Sequence, residues 1–214
     1  MLANLMSQLA GGDRGDHRFH GVAPALVTNN HDPDGLGRVK VKLPWLSDDA
    51  ESDWARVASP MAGKERGLYL LPEVDDEVLV AFEHGNPASV YVLGALWNGK
   101  DKPPEANAEG KNDVRTLKSR SGHVVRLVDA KGDERIEIVD KSAKNSIVIS
   151  TKDNTITIVA DADITIQSAK GKLKLSGNGV EITSKGAIKV EASGNMDLKA
   201  GPQLNVKGQM VNIN

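Results

Sequence analysis

The chain has 214 residues and a formal net charge of −2, so it lacks the basic footprint of a nucleic-acid binder. It has no cysteine, which excludes disulfides and thiolate metal sites, and no run of 18 apolar residues that could span a membrane as a helix. Only 3% of residues are aromatic, and none follows Trp97, so any aromatic core is confined to the first half. The N-terminus MLANLMSQLAGGDRGD has no basic n-region and no long apolar stretch. Synthesis in the cytoplasm without a signal peptide is therefore expected.

Residues 1–20 open with LANLMSQL, in which Leu2, Leu5, Met6 and Leu9 have helical spacing before Gly11-Gly12. Two turns of helix are marginal alone, and an apolar face with no partner in its own chain reads as a docking segment. Residues 21–99 read as five or six short strands separated by turn signals such as Asn29-Asn30, Asp34-Gly35, Ser47-Asp48-Asp49 and Gly85-Asn86-Pro87. Val39, Val41 and Leu43 alternate with Lys40 and Lys42, as in a half-buried strand. Such a density of short strands suits a small closed barrel of the OB type, with Trp45, Trp54 and Trp97 as core or interchain packing. Residues 100–122 are polar, contain Pro103-Pro104 and several Gly, and read as a linker.

From residue 123 a repeat takes over. Apolar pairs begin at Ile136, Ile147, Ile156, Ile164, Leu173, Val180, Ile188, Met196, Leu204 and Val211, and after Ile147 the steps are 9, 8, 9, 7, 8, 8, 8 and 7 residues. The period is near eight. Eight extended residues reach roughly 26 Å, and each unit has only two small inward residues. A single chain wound this way has a thin core and long open edges. Three identical chains around one axis solve both problems, each supplying one face of a triangular prism. The expected axial residues are Ile147, Ile149, Ile156, Ile158, Ile164, Ile166, Leu173, Leu175, Val180, Ile182, Ile188, Val190, Met196, Leu198, Leu204 and Val206. Outward positions such as Lys189, Glu191, Asp197 and Lys199 are polar. With layers about 4.8 Å apart, the shaft is roughly 40 Å long. The predicted fold class is all-β: a barrel at 21–99, a linker at 100–122 and an intertwined trimeric β-helix at 123–214.

The segments DPDGLGRVKVKLPW (Asp32–Trp45) and WARVASPMAGKERGLYLLPEVDDEVLVAFEHGNPASVYVLGALWNG (Trp54–Gly99) resemble the OB module of the central spikes of contractile injection machines. This family comprises phage baseplate assembly protein V and the VgrG proteins of type VI secretion. The resemblance covers about residues 18–214 with the octads included, because the family places a trimeric β-helix after its OB domain. It implies a structural, non-enzymatic spike without cofactor, assembled into a virion baseplate or injection particle. The partners it implies are two further copies, a hub that Leu2, Leu5, Met6 and Leu9 would contact, a PAAR-type tip protein on Val211 and Ile213, and effector cargo. The target membrane would be met only on puncture. About 20 residues stand where large VgrG proteins carry their hub, so a separate trimeric hub protein is expected. The linker has no room for an inserted lysozyme domain. The H-x-H motif that holds a tip ion in some phage spikes is missing, since His123 is the last histidine.

Other chemistry is weaker in the sequence. Asp32-Pro33-Asp34-Gly35 starts like a calcium loop but lacks the remaining ligand spacing, and reads as a turn before the next strand. Glu73, Asp75, Asp76 and Glu77 are neighbours on a turn rather than carboxylates across a cleft. The competing function is a trimeric tail spike that binds or cleaves carbohydrate. A shaft without aromatics counts against it.

Overall fold

The computed structural model describes residues 18–46 and 51–213, and among these it contains strands and no helix. The chain divides into two units, residues 1–161 and 162–214.

The first unit begins with a closed barrel. Its strands are β1 (Val22–Asn29), β2 (Arg38–Lys42), β3 (Ala55–Val57), β6 (Glu77–Glu83) and β7 (Asn86–Ala95), hydrogen-bonded in the ring order β1-β2-β3-β7-β6. Among the described strands, only β3 and β7 run parallel. A two-residue hairpin, β4 (Ala62–Gly63) with β5 (Arg66–Gly67), sits between β3 and β6. Period-two alternation builds this barrel. Ala25 and Val27, Val39 and Val41, Val78 and Val80, and Val90 and Val92 point inward and are buried with Leu43 and Ala55. Each fully buried valine or leucine is worth roughly 1.5–3 kcal/mol.

The three tryptophans stand outside that core, which removes the core half of the sequence expectation, and Phe82 packs against its edge. Phe19 and Phe82 each meet Trp45 edge to face and each other at a tilt, with centroid separations of 5.0 to 6.4 Å, and Trp45 is exposed. Trp54 lies on the barrel exterior, with Arg38 5.9 Å and Lys40 5.6 Å from its ring centroid. Trp97 is 69% exposed. Valines, one leucine and two alanines fill the interior instead. The aromatic cluster is fixed by the chain entering the barrel. Phe19 donates its amide to the Gly85 carbonyl, and a Cβ on Gly85 would lie 2.6 Å from that of Arg18. With φ of +80°, position 85 requires glycine twice over.

The β1–β2 turn is organised by Asp32. Its carboxylate accepts the backbone amides of Asp34, Leu36 and Arg38 and both Nε and Nη2 of the Arg38 side chain, at 2.7–3.2 Å. The Arg38 guanidinium, helped by those amides against the cost of burial, holds the Asp32 carboxyl well below the usual range. The turn reading is therefore correct, and the carboxylate serves an arginine.

A five-stranded sheet follows: β8 (Val114–Lys118), β9 (Val124–Val128), β10 (Arg135–Val139), β11 (Ser146–Ser150) and β12 (Thr155–Val159). It is an antiparallel meander in that order. Two sequence expectations change here. Strand β8 lies inside the stretch read as linker. Residues 124–159 fold back on themselves in hairpins rather than advancing by octads. The left-handed residues Gly132, Ala143 and Asn154 mark the three reversals after β9, eleven residues apart. An eleven-residue step gives a five-residue strand and a connection long enough to reverse direction.

The second unit has a different regularity. Its extended backbone bends at Asp161-Ala162 and again at 169–171, 177–178, 185–186, 193–194, 201–202 and 209–210. The period of eight predicted from the apolar pairs is thus a period of bends. It begins at Asp161, not at residue 123.

Candidate functional site

The meander has two unlike faces. Register places Leu117, Val125, Ile138, Ile147 and Ile158 in one row across the five strands. Arg115, Leu127, Ile136, Ile149 and Ile156 form the second row on the same face. Nine of these ten side chains are apolar, and all nine are substantially exposed, from 39% at Ile147 to 69% at Ile156. The result is an apolar stripe two residues wide that runs across the strands. Arg115 at one end is neutralised by Asp129.

The opposite face is mixed and better covered, with Val124, Val128 and Val139 standing among charged groups. Arg126 pairs with Glu137 and with Glu105 from the preceding connector, both at 3.2 Å, while Arg135 Nε donates to Glu137 at 2.6 Å. Thr116 donates to Glu105 at 2.8 Å. Burial raises the Glu137 carboxyl, but the Arg135 guanidinium and then Arg126 outweigh it and leave Glu137 below its ordinary value. In the β10–β11 turn, the Ser142 hydroxyl and the Asn145 groups lower Asp140 to about 2. Among the described residues, the apolar stripe is the face of this sheet left uncovered.

The second unit continues the two-residue pattern. In every octad the paired apolar residues are exposed, with Ile188 at 57% and Val190 at 70% as typical members. The flanking Lys189 and Glu191 form an ion pair at 2.6 Å between two solvent-exposed side chains. Among the described residues, no backbone hydrogen bond closes a ladder within 162–213. Extended backbone in this state has donors and acceptors along its whole length and only water or other chains to take them.

Of the residues named from sequence, Ile147, Ile149, Ile156 and Ile158 share the meander stripe. Ile164 through Val206, and likewise Val211 and Ile213, occupy the octads. Leu2, Leu5, Met6 and Leu9 lie outside the described residues. Leu117, Val125, Leu127, Ile136 and Ile138 join the same stripe. The alternation in VVRLV and RIEIV was the signal for the last four. The carboxylate cluster is a turn: the Glu73 amide donates to Asp76 at 2.8 Å, Glu73 pairs with Arg120, and Glu77 accepts from Asn98 at 2.9 Å. No group of three His, Cys, Asp or Glu able to hold a metal occurs among the described residues.

A closed barrel in this ring order is the OB architecture. Residues 23–97 match the family described as the type VI secretion system/phage-baseplate injector OB domain. The chain is similar to VgrG-type spike proteins. It is 37% identical over 112 residues, 48% of its length, to the type VI secretion system spike protein VgrG5 of Pseudomonas aeruginosa. It is 30% identical over 145 residues, 62% of its length, to VgrG1b of the same organism, and 28% identical over 143 residues, 63% of its length, to VgrG3 of Vibrio cholerae. The matched stretches span 14%, 19% and 14% of those three proteins.

Proposed function

We propose that the chain is a structural central spike of a contractile injection machine, built as a parallel homotrimer whose residues from 162 onward intertwine. The observation that carries this reading is the second unit itself. An extended chain with two apolar residues per octad, no internal ladder and a polar residue between them is stable only when other strands take its hydrogen bonds and its side chains. Two further copies supply both. In the meander each copy already has its own ladder and lacks only cover for the stripe, so its copies meet face to face.

In this reading the injector OB domain faces the base of the machine, where a hub protein docks, and Val211 and Ile213 receive a PAAR-type tip protein. Effector cargo would travel with the tip. The spike acts mechanically, so purified protein should leave peptidoglycan and polysaccharide intact. Native mass measurement or analytical ultracentrifugation of the full chain tests the central point. A trimer is expected, and a folded monomer at micromolar concentration would refute it.

A further inference from the structure

The sequence has two Asn–Gly steps, at residues 98 and 178, and the structure treats them differently. Asn98 is locked. Its Nδ2 donates to Glu77 at 2.9 Å, and its Oδ1 accepts the amides of Lys100 at 2.9 Å and Asp101 at 2.7 Å. Asn178 stands exposed in the bend at 177–178, and no described residue holds its side chain. A Cβ built on Gly179 would meet nothing within 4 Å, so no neighbouring group crowds that residue on its Cβ side.

We infer that Asn178 is a site of spontaneous deamidation and isoaspartate formation, and that Asn98 is protected from the same chemistry by its hydrogen bonds. The Gly179 backbone nitrogen attacks the Asn178 side-chain carbonyl carbon and loses its proton. A bond forms between that carbon and nitrogen, the bond to Nδ2 breaks, and ammonia leaves, closing a five-membered succinimide. Water then opens the ring. Attack at the side-chain carbonyl yields aspartate in the original backbone, and attack at the main-chain carbonyl yields isoaspartate with the backbone routed through Cβ. Only water is consumed and no redox partner is needed. Asparagine is thermolabile for this reason, and a following glycine, lacking a side chain, offers the least hindrance. The isoaspartyl product adds one methylene to a two-residue bend and places a negative charge there. This inference rests on the bend alone and does not require the trimer.

The test is ageing of the full-length protein at mildly alkaline pH and physiological temperature, followed by tryptic mass mapping. The peptide Leu175–Lys185 carries Asn178, and the peptide ending at Lys100 carries Asn98. Conversion at Asn178 should run about tenfold faster than at Asn98, since each hydrogen bond broken to free Asn98 slows its reaction. In urea the two rates should converge. Gly179→Ala, which fits the open space, should suppress most of the conversion at 178. Equal native rates, faster loss at Asn98, or a Gly179→Ala protein that deamidates as fast as the parent would overturn the assignment.

Discussion

The barrel and the octads spend their apolar residues in opposite ways. In the barrel, valines from five strands converge until Val39, Val41, Val78, Val80 and Val92 have no measurable exposure. In residues 162–213 every residue is exposed, although the apolar residues alternate just as regularly. Alternation is common to both, and closure is not. A strand that finds its partners a few dozen residues away in its own chain folds alone. A strand whose own chain never returns beside it depends on assembly, and its stability is then tied to protomer concentration. The meander lies between these limits, with ladders complete within the chain and an apolar stripe left open.

The change that breaks this contrast most sharply is Ile188→Asp. In the proposed trimer it places three carboxylates at one level of the axis, at a cost on the order of 3–5 kcal/mol per chain. The assembled species should be lost in sedimentation, while the barrel's near-ultraviolet signal persists. Lys189→Asp, one residue away and facing water, should shift trimer melting by less than about 0.5 kcal/mol. Equal effects of the two would invert the assignment of inside and outside.

Leu43→Ala, in the barrel, removes a buried side chain and should cost about 2–5 kcal/mol. Its signature is the reverse of Ile188→Asp: an earlier barrel transition with the assembly state unchanged. Glu137→Gln on the mixed face of the meander leaves Arg126 and Arg135 without their shared carboxylate. It should cost about 1–2 kcal/mol, read as faster hydrogen exchange in β9 and β10.

The smallest effect is one of pH. Because Arg38 depresses the folded-state pKa of Asp32, the stability it confers is complete above the ordinary carboxylate range. It is lost as pH falls below about 4 toward the depressed value. Asp32→Asn should therefore lower barrel melting at neutral pH and flatten its fall in acid, measured by melting curves between neutrality and strong acid.

Much of this organisation was legible in the sequence because alternation reports which face is buried. Val39-Lys40-Val41-Lys42 declares its inner side without reference to any other strand. The core half of the tryptophan expectation fails because residue type reports a tendency to burial and not the place where burial occurs. Trp54 found its cover under Arg38 and Lys40. The meander was merged with the octads because both have two apolar residues per strand. The distinction lies in the connections, where Ala143 adopts a left-handed conformation that its side chain does not advertise. Strand β8 was hidden because VRTLK carries only Val114 and Leu117 as apolar residues, and its pairing comes from β9.

The two-residue bends also constrain how this chain can change length. Neighbouring side chains in an extended segment face opposite ways, so loss or gain of one residue would turn the following pair outward. Loss of a whole octad, such as residues 185–192, would leave every later pair facing as before. The chain already contains a compensated slip: the three-residue bend at 169–171 delays Leu173 and Leu175 by one place, and a nine-residue step is followed at once by one of seven, which restores the phase at Val180, whereas the seven-residue step from Leu204 to Val211 at the last bend is not compensated. Insertions and deletions in related genes should accordingly accumulate in multiples of eight codons, or in compensating pairs, making the number of octads a quantity that evolves in whole steps.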